Sequence, residues 1–100
     1  VIKNGSRLQS QVCDTQVIVV RSTEALDDLR IGGAPAVPIG SQKSGDVVLD
    51  DAFAAGALMG KRYVHTDGAE LLVTKAGKGS LSVGTTLLEL KEAKPLPASD

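Results

Sequence analysis

His65 and Cys13 are the only imidazole and the only thiol in the chain, so any nucleophilic or soft-metal chemistry must be built around them. His65 lies in "YVHTDG", two residues before Asp67, and on an extended strand that spacing puts both side chains on one face. A His–Asp pair is thus geometrically possible, and a hydrolytic or isomerase enzyme using His65 and Asp67 is a third reading, ranked last. An exposed hairpin position next to a turn accounts for His65 better than a catalytic pair does. Cys13 reads either as a nucleophile or as a small apolar core side chain, the ordinary fate of a single cysteine. The carboxylate pairs Asp27–Asp28 and Asp50–Asp51 are adjacent, hence on opposite faces of a strand, and suit turns and helix caps better than an acid/base couple.

The phosphate-loop pattern fails at "GALMGKR", Gly56 to Arg62, which is one residue short and has Arg62 where the magnesium-binding hydroxyl belongs. No G-x-G-x-x-G occurs. No catalytic residue, cofactor or metal set is therefore assigned, and the expectation is a non-enzymatic protein, which includes an accessory subunit of an enzyme complex.

Eleven basic residues against twelve acidic ones give a formal charge of -1, without a block of like charge, so capture of nucleic acid or membrane by charge is not expected. Phe53 and Tyr63 are the only aromatics, which argues against a platform for stacking bases. The apolar 42% is aliphatic, and a single domain over 1–100 is expected, burying roughly 65% of its unfolded surface. The longest apolar stretch, Ala52 to Met59, is far too short to span a bilayer, and no basic and apolar leader is seen at Val1. A lone cysteine forms no internal disulfide, so the expected compartment is the reducing cytoplasm.

The elements that would position these groups are short strands. "TQVIVVR" is β-branched and bounded by polar residues; "LRI" follows after "STEALDDL", and the two read as a hairpin with a long loop, a knuckle-like unit over 10–40. Pro35 and Pro38 cannot donate to a sheet ladder, so Gly32 to Gly40 must leave the sheet or run along its edge. A polar linker and a short strand "DVVLDD" lead to the one helical segment expected, near 51–59, within a linker region of 41–60. From 61 to 90 the pattern is a β-meander, with a hairpin at Asp67–Gly68 and positive φ expected at Gly77 and Gly79. An extended, proline-spaced tail is expected over 91–100. "QVIVVRS" at Gln16 also aligns with "ELLVTKA" at Glu70, and "LRIGG" at Leu29 with "LSVGT" at Leu81, an internal repeat or simply two aliphatic hairpins.

"SQVCDTQVIVV" and "LRIGGAPAVPIG" together resemble the rubredoxin-like zinc or iron knuckles, most closely the small N-terminal domain of desulfoferrodoxins. In that family a C-x-x-C-G/D/N turn and a V-x-V strand precede a C-C-G or C-G-G turn followed by x-P-M. Cys13 and Asp14 match the second cysteine and the turn residue, Gln16 to Val20 the strand, and Leu29, Gly33 and Pro35 the second framework. Ser10 stands in place of the first cysteine, Ile31 and Gly32 in place of the second pair, and Ala36 in place of the methionine. The resemblance, confined to residues 10–38, thus implies a degenerate knuckle at Ser10, Cys13, Ile31 and Gly32. A closed tetrahedral site needs four ligands and one remains. Val12 and Ile31 are expected to fill the space, each worth roughly 1.5–3 kcal/mol if buried.

The expected architecture is mainly β, a small antiparallel domain of two hairpin units, five to seven strands and at most one short helix. Such a sheet leaves edges that need a cover or a partner. The leading expectation is an interaction module docking on protein, a second copy or a larger complex, through a sheet edge and Gly33, Pro35, Val37, Pro38 and Ile39. The alternative is a rubredoxin-like metal-binding or electron-transfer protein in which Cys13 and His65 with acidic residues hold one ion.

Overall fold

A computed structural model describes residues 2–42 and 47–91. The middle of the polar linker and the proline-spaced tail beyond Lys91 lie outside the described residues. The chain is mainly β, and its described residues form two antiparallel sheets of ten short strands, more than the five to seven expected because several are only two or three residues long: β1 (Arg7–Gln9), β2 (Gln16–Arg21), β3 (Leu29–Ile31), β4 (Ala34–Pro35), β5 (Val37–Pro38), β6 (Arg62–Val64), β7 (Glu70–Lys75), β8 (Leu81–Val83), β9 (Thr86–Leu87) and β10 (Glu89–Lys91). The larger sheet runs β10-β6-β7-β2-β1-β5 and the smaller β4-β3-β8-β9. Among the described residues no helix is long and apolar enough to cross a membrane.

The two sheets share one aliphatic core. Along β2 and β7 alternate residues Val17, Val19, Leu71 and Val73 are buried, as strand period 2 requires, and they meet Leu26, Leu29, Ile31 and Leu81. The expected hairpin of β2 with β3 does not form. Thr23 Oγ1 accepts the N–H of Ala25 and caps a 3-10 turn, Glu24–Asp28, whose Leu26 is fully buried. That turn carries the chain from the larger sheet into the smaller one. A six-residue strand then pairs with the equally long β7, while the three-residue β3 pairs with β8.

Pairing between halves makes the fold a pseudo-dyad. Read from either end, the larger sheet relates β5 to β10, β1 to β6 and β2 to β7; the smaller relates β4 to β9 and β3 to β8. Ile18 faces its counterpart Leu72 across the larger sheet, and Arg30 faces Ser82 across the smaller, which locates the axis. Two β-bulges in the β2–β7 pair leave Val20 and its counterpart Thr74 unopposed. The hydrogen bonds repeat as well: Ala36 N–H to Leu29 O and Leu88 N–H to Leu81 O are both 3.0 Å, while Gly32 N–H to Ser80 O (2.9 Å) matches Gly84 N–H to Asp28 O (3.0 Å). The aligned segments are therefore the two halves of a symmetric pairing rather than two self-contained hairpins.

The Asp67–Gly68 hairpin forms between β6 and β7, with Gly68 at φ +102°. The expected helix reduces to one 3-10 turn, Asp51–Phe53, capped by Asp50 Oδ1 on the N–H of Ala52 (2.9 Å), and Gly56 at φ +86° ends any continuation. Residues 47–50 form no strand. Gly77 and Gly79 are not at positive φ, contrary to expectation; they are glycines because other backbone passes too close for a Cβ.

Candidate functional site

Ser10, Cys13 and Gly32 are brought to one corner by Gly79. A Cβ on Gly79 would lie 2.8 Å from Gly32 N and 3.0 Å from Cys13 Sγ, and one on Gly32 would lie 2.7 Å from both Val12 Cγ2 and Leu49 Cδ1. Ser10 Oγ accepts the N–H groups of Val12 (3.0 Å) and Cys13 (3.1 Å), folding the turn around one buried oxygen. Val12 fills the corner as expected, joined by Leu49 from the far side of the linker. Ile31 is fully buried in the core cluster, against which Cys13 packs.

Cys13 is half-buried, above a cleft of about 520 Å³ shared with Gln11, Asp14 and 47–49. Burial pushes its thiol pKa up, but hydrogen bonds from Ser10, Thr15 and the Gly79 N–H outweigh this and the net shift is downward. The Gly79 N–H reaches Sγ at 3.3 Å, and Thr15 Oγ1 lies at the same distance.

His65 does not join this corner. Cys13 precedes β2 and His65 precedes β7, and because those strands run antiparallel the two sit at opposite ends of the pair, roughly 17 Å apart at the usual strand rise. One ion cannot be held by both. Among the described residues no group of three or more His, Cys, Asp or Glu is placed to hold a metal. Nor does His65 hydrogen-bond Asp67: that carboxylate accepts from Thr23 Oγ1 (2.5 Å) and from the Ala69 N–H (3.0 Å), while His65 Nδ1 is buried with no hydrogen-bond partner among the described residues. Asp67 is held below the usual carboxylate range, first by the Thr23 hydroxyl and then by the Ala69 N–H.

The Gly–Pro loop follows two sheet edges. Gly33, at φ +87°, closes the β3–β4 turn against Asp50, whose Cβ would lie 2.6 Å from an added Cβ. Pro35 and Pro38 then occupy β4 and β5, the outermost strands of the smaller and larger sheets. Pro38 has no N–H to offer outward, and its carbonyl accepts the Ser41 N–H (3.0 Å); the Pro35 carbonyl accepts Gln11 Nε2 (2.8 Å). Val37 is half-buried and Ile39 is 41% exposed. The loop therefore blunts its own edges against strand addition and leaves only side chains to meet a partner. At the pseudo-equivalent positions stand Leu87, 50% exposed on β9, and Leu90, 36% exposed on β10.

Sequence reasoning missed an ion-pair cluster on the larger sheet. Glu70, 8% exposed, accepts Lys91 Nζ (2.9 Å) and Arg62 Nη1 (3.2 Å). The Lys91 ammonium holds the carboxyl below its usual range, against the opposing effect of burial, and Arg62 adds to this. Only the register of β6, β7 and β10 assembles it, so spacing along the chain carried no signal. Comparison of the chain with protein-family models, with curated proteins and with solved structures finds no match, and the reading of these surfaces rests on their own geometry.

Proposed function

We propose that this protein is a non-catalytic interaction module that docks through the edge of its larger sheet, with a second copy of the chain as the partner the edge fits best. The observation carrying this reading is the contrast between the two ends of that sheet. β5 is closed by Pro38 and Ser41, whereas β10 puts a half-exposed leucine at the same register position. Leu90 pairs with Tyr63 as Pro38 pairs with Leu8, which directs its N–H and carbonyl away from β6 and toward the outer edge. Antiparallel pairing of β10 with a second β10, centred on Leu90, sets Glu89 of each copy opposite Lys91 of the other. A strand edge that is short, apolar at its centre and oppositely charged at its ends complements itself.

The Gly–Pro side contributes through Val37 and Ile39 side chains rather than by strand addition. Sedimentation velocity over a concentration series tests the reading. Wild-type protein is expected to show a monomer–dimer equilibrium, and Leu90→Pro, which copies the closed first-half edge, is expected to stay monomeric with an unchanged circular dichroism spectrum. A wild type that is monomeric throughout, or a Leu90→Pro variant that still dimerises, defeats it. Ile39→Lys distinguishes the two edges: dimer loss there and not in Leu90→Pro would move the interface to the Gly–Pro side.

A further inference from the structure

The pseudo-dyad supplies an internal reference for a second surface of the larger sheet, one that does not depend on self-association through β10. In the second half Glu70 is bonded to Arg62 from the neighbouring strand β6 and to Lys91 from β10. The dyad maps Glu70 onto Gln16, Arg62 onto Arg7, Lys91 onto Ile39, Leu72 onto Ile18 and Arg21 onto Lys75, as the matched registers of β1–β2, β6–β7 and β2–β7 require. Arg7, Gln16, Ile18, Ile39, Thr74 and Lys75 line one cleft of about 450 Å³.

The first half keeps one of those two cations, as Arg7, draws Lys75 from the facing strand where the other half has Arg21, and loses the acid between them. Gln16 is neutral where Glu70 is charged. Among the described residues neither Arg7 nor Lys75 has an ion-pair partner, and no carboxylate lines the cleft. Ile39 replaces the lysine of the other half with a hydrocarbon wall that faces Ile18 across the same cleft. The bulge at Thr74 brings a hydroxyl beside Lys75, on the Gln16 side. Two positive groups, two hydrogen-bonding groups and two aliphatic side chains thus surround a space where the equivalent half holds a carboxylate of its own.

We propose that this cleft binds a small aliphatic carboxylate, with the acid between Arg7 and Lys75 and the hydrocarbon chain against Ile18 and Ile39. Arginine suits the role because its planar fork meets both carboxylate oxygens, and the apolar wall distinguishes a fatty or amino-acid-like acid from an inorganic anion. The cations are solvent-accessible, so the binding is of millimolar strength and weakens with salt.

The test is ¹⁵N-resolved NMR of the full chain titrated with butyrate, with its neutral analogue butyramide and with inorganic phosphate. Butyrate is expected to give saturable shifts at the amides of Arg7, Gln16, Ile18, Thr74 and Lys75, and butyramide none. Gln16→Glu places an internal acid where Glu70 sits in the other half; it is expected to weaken butyrate roughly tenfold while leaving the spectrum folded, and Arg7→Gln to weaken it similarly. Absence of saturable shifts with butyrate, butyrate binding unchanged in Gln16→Glu, or phosphate acting as strongly as butyrate on the same amides would overturn the assignment.

Discussion

The two halves of the larger sheet share strand order, register and bulges, yet one seals a carboxylate among its cations and the other leaves its cations facing a cleft. The positions that agree between the halves are those the backbone and core need: Val17 with Leu71, Val19 with Val73, Leu29 with Leu81, and Gly32 with Gly84, both at positive φ. The positions that differ lie on edges and outer faces, where Pro35 answers Leu87, Pro38 answers Leu90 and Gln16 answers Glu70. Symmetry is maintained where a change would cost packing. It lapses at the sheet edges and on the outer face of the larger sheet, and there the two halves became different surfaces.

The Gly79 corner is where a single added atom should do most damage. Gly79→Ala would put a Cβ 2.8 and 2.9 Å from the backbone N and Cα of Gly32, atoms that cannot swing aside. The expected loss is about 3 kcal/mol, the upper end for overpacking. Thermal unfolding checks it, and a loss under about 1 kcal/mol would mean that the corner relaxes.

The paired glycines give a sharper comparison. Both need positive φ, but an added Cβ at Gly32 meets the half-buried Val12 and Leu49 side chains at 2.7 Å, whereas at Gly84 it meets only the Asp28 carboxylate at 2.9 Å, an exposed and movable group. Gly32→Ala should therefore cost about 2 kcal/mol or more and Gly84→Ala about 1 kcal/mol. Equal losses in denaturant titrations would show that backbone conformation, rather than the neighbours, decides both positions.

Glu70→Gln removes the acid that the first half lacks. Both cations are about half exposed, so the expected loss near neutral pH is about 1 kcal/mol. The folded state holds the Glu70 pKa below its unfolded value, so the folded protein takes up this proton less readily than the unfolded chain. The contribution is therefore complete above the ordinary carboxylate range and lost as pH falls through the depressed folded value. The stability difference between wild type and Glu70→Gln should shrink on acidification. A gap that stays constant or widens would assign the loss to packing.

Ile39→Ala should have the smallest effect, within about 0.5 kcal/mol of wild type, because its side chain is 41% exposed. A larger loss would show that this wall of the cleft also supports β5.

Several features were legible in the chain because they depend on neighbours in sequence. Asp67–Gly68 announces a hairpin, Asp50 announces a cap, the β-branched run at Gln16 announces a strand, and Pro35 and Pro38 announce edges. Ser10, Cys13 and Gly32 meet at one corner only because Gly79, far along the chain, packs against it, and Ile31 is buried in the core cluster beside them. Alternation of apolar and polar residues says which face of a strand is buried and nothing about which strand lies beside it. Hence β2 with β7 and β3 with β8, rather than β2 with β3, had to await the packed structure. The need for glycine at 77 and 79 arises from backbone more than forty residues away, at Thr15 and Gly32, and local composition cannot report it. Residue types settled the class of fold and the character of its turns. Long-range pairing, driven by burying two aliphatic faces at once, settled the dyad, which strands lie outermost among the described residues, and which cations kept an acid between them.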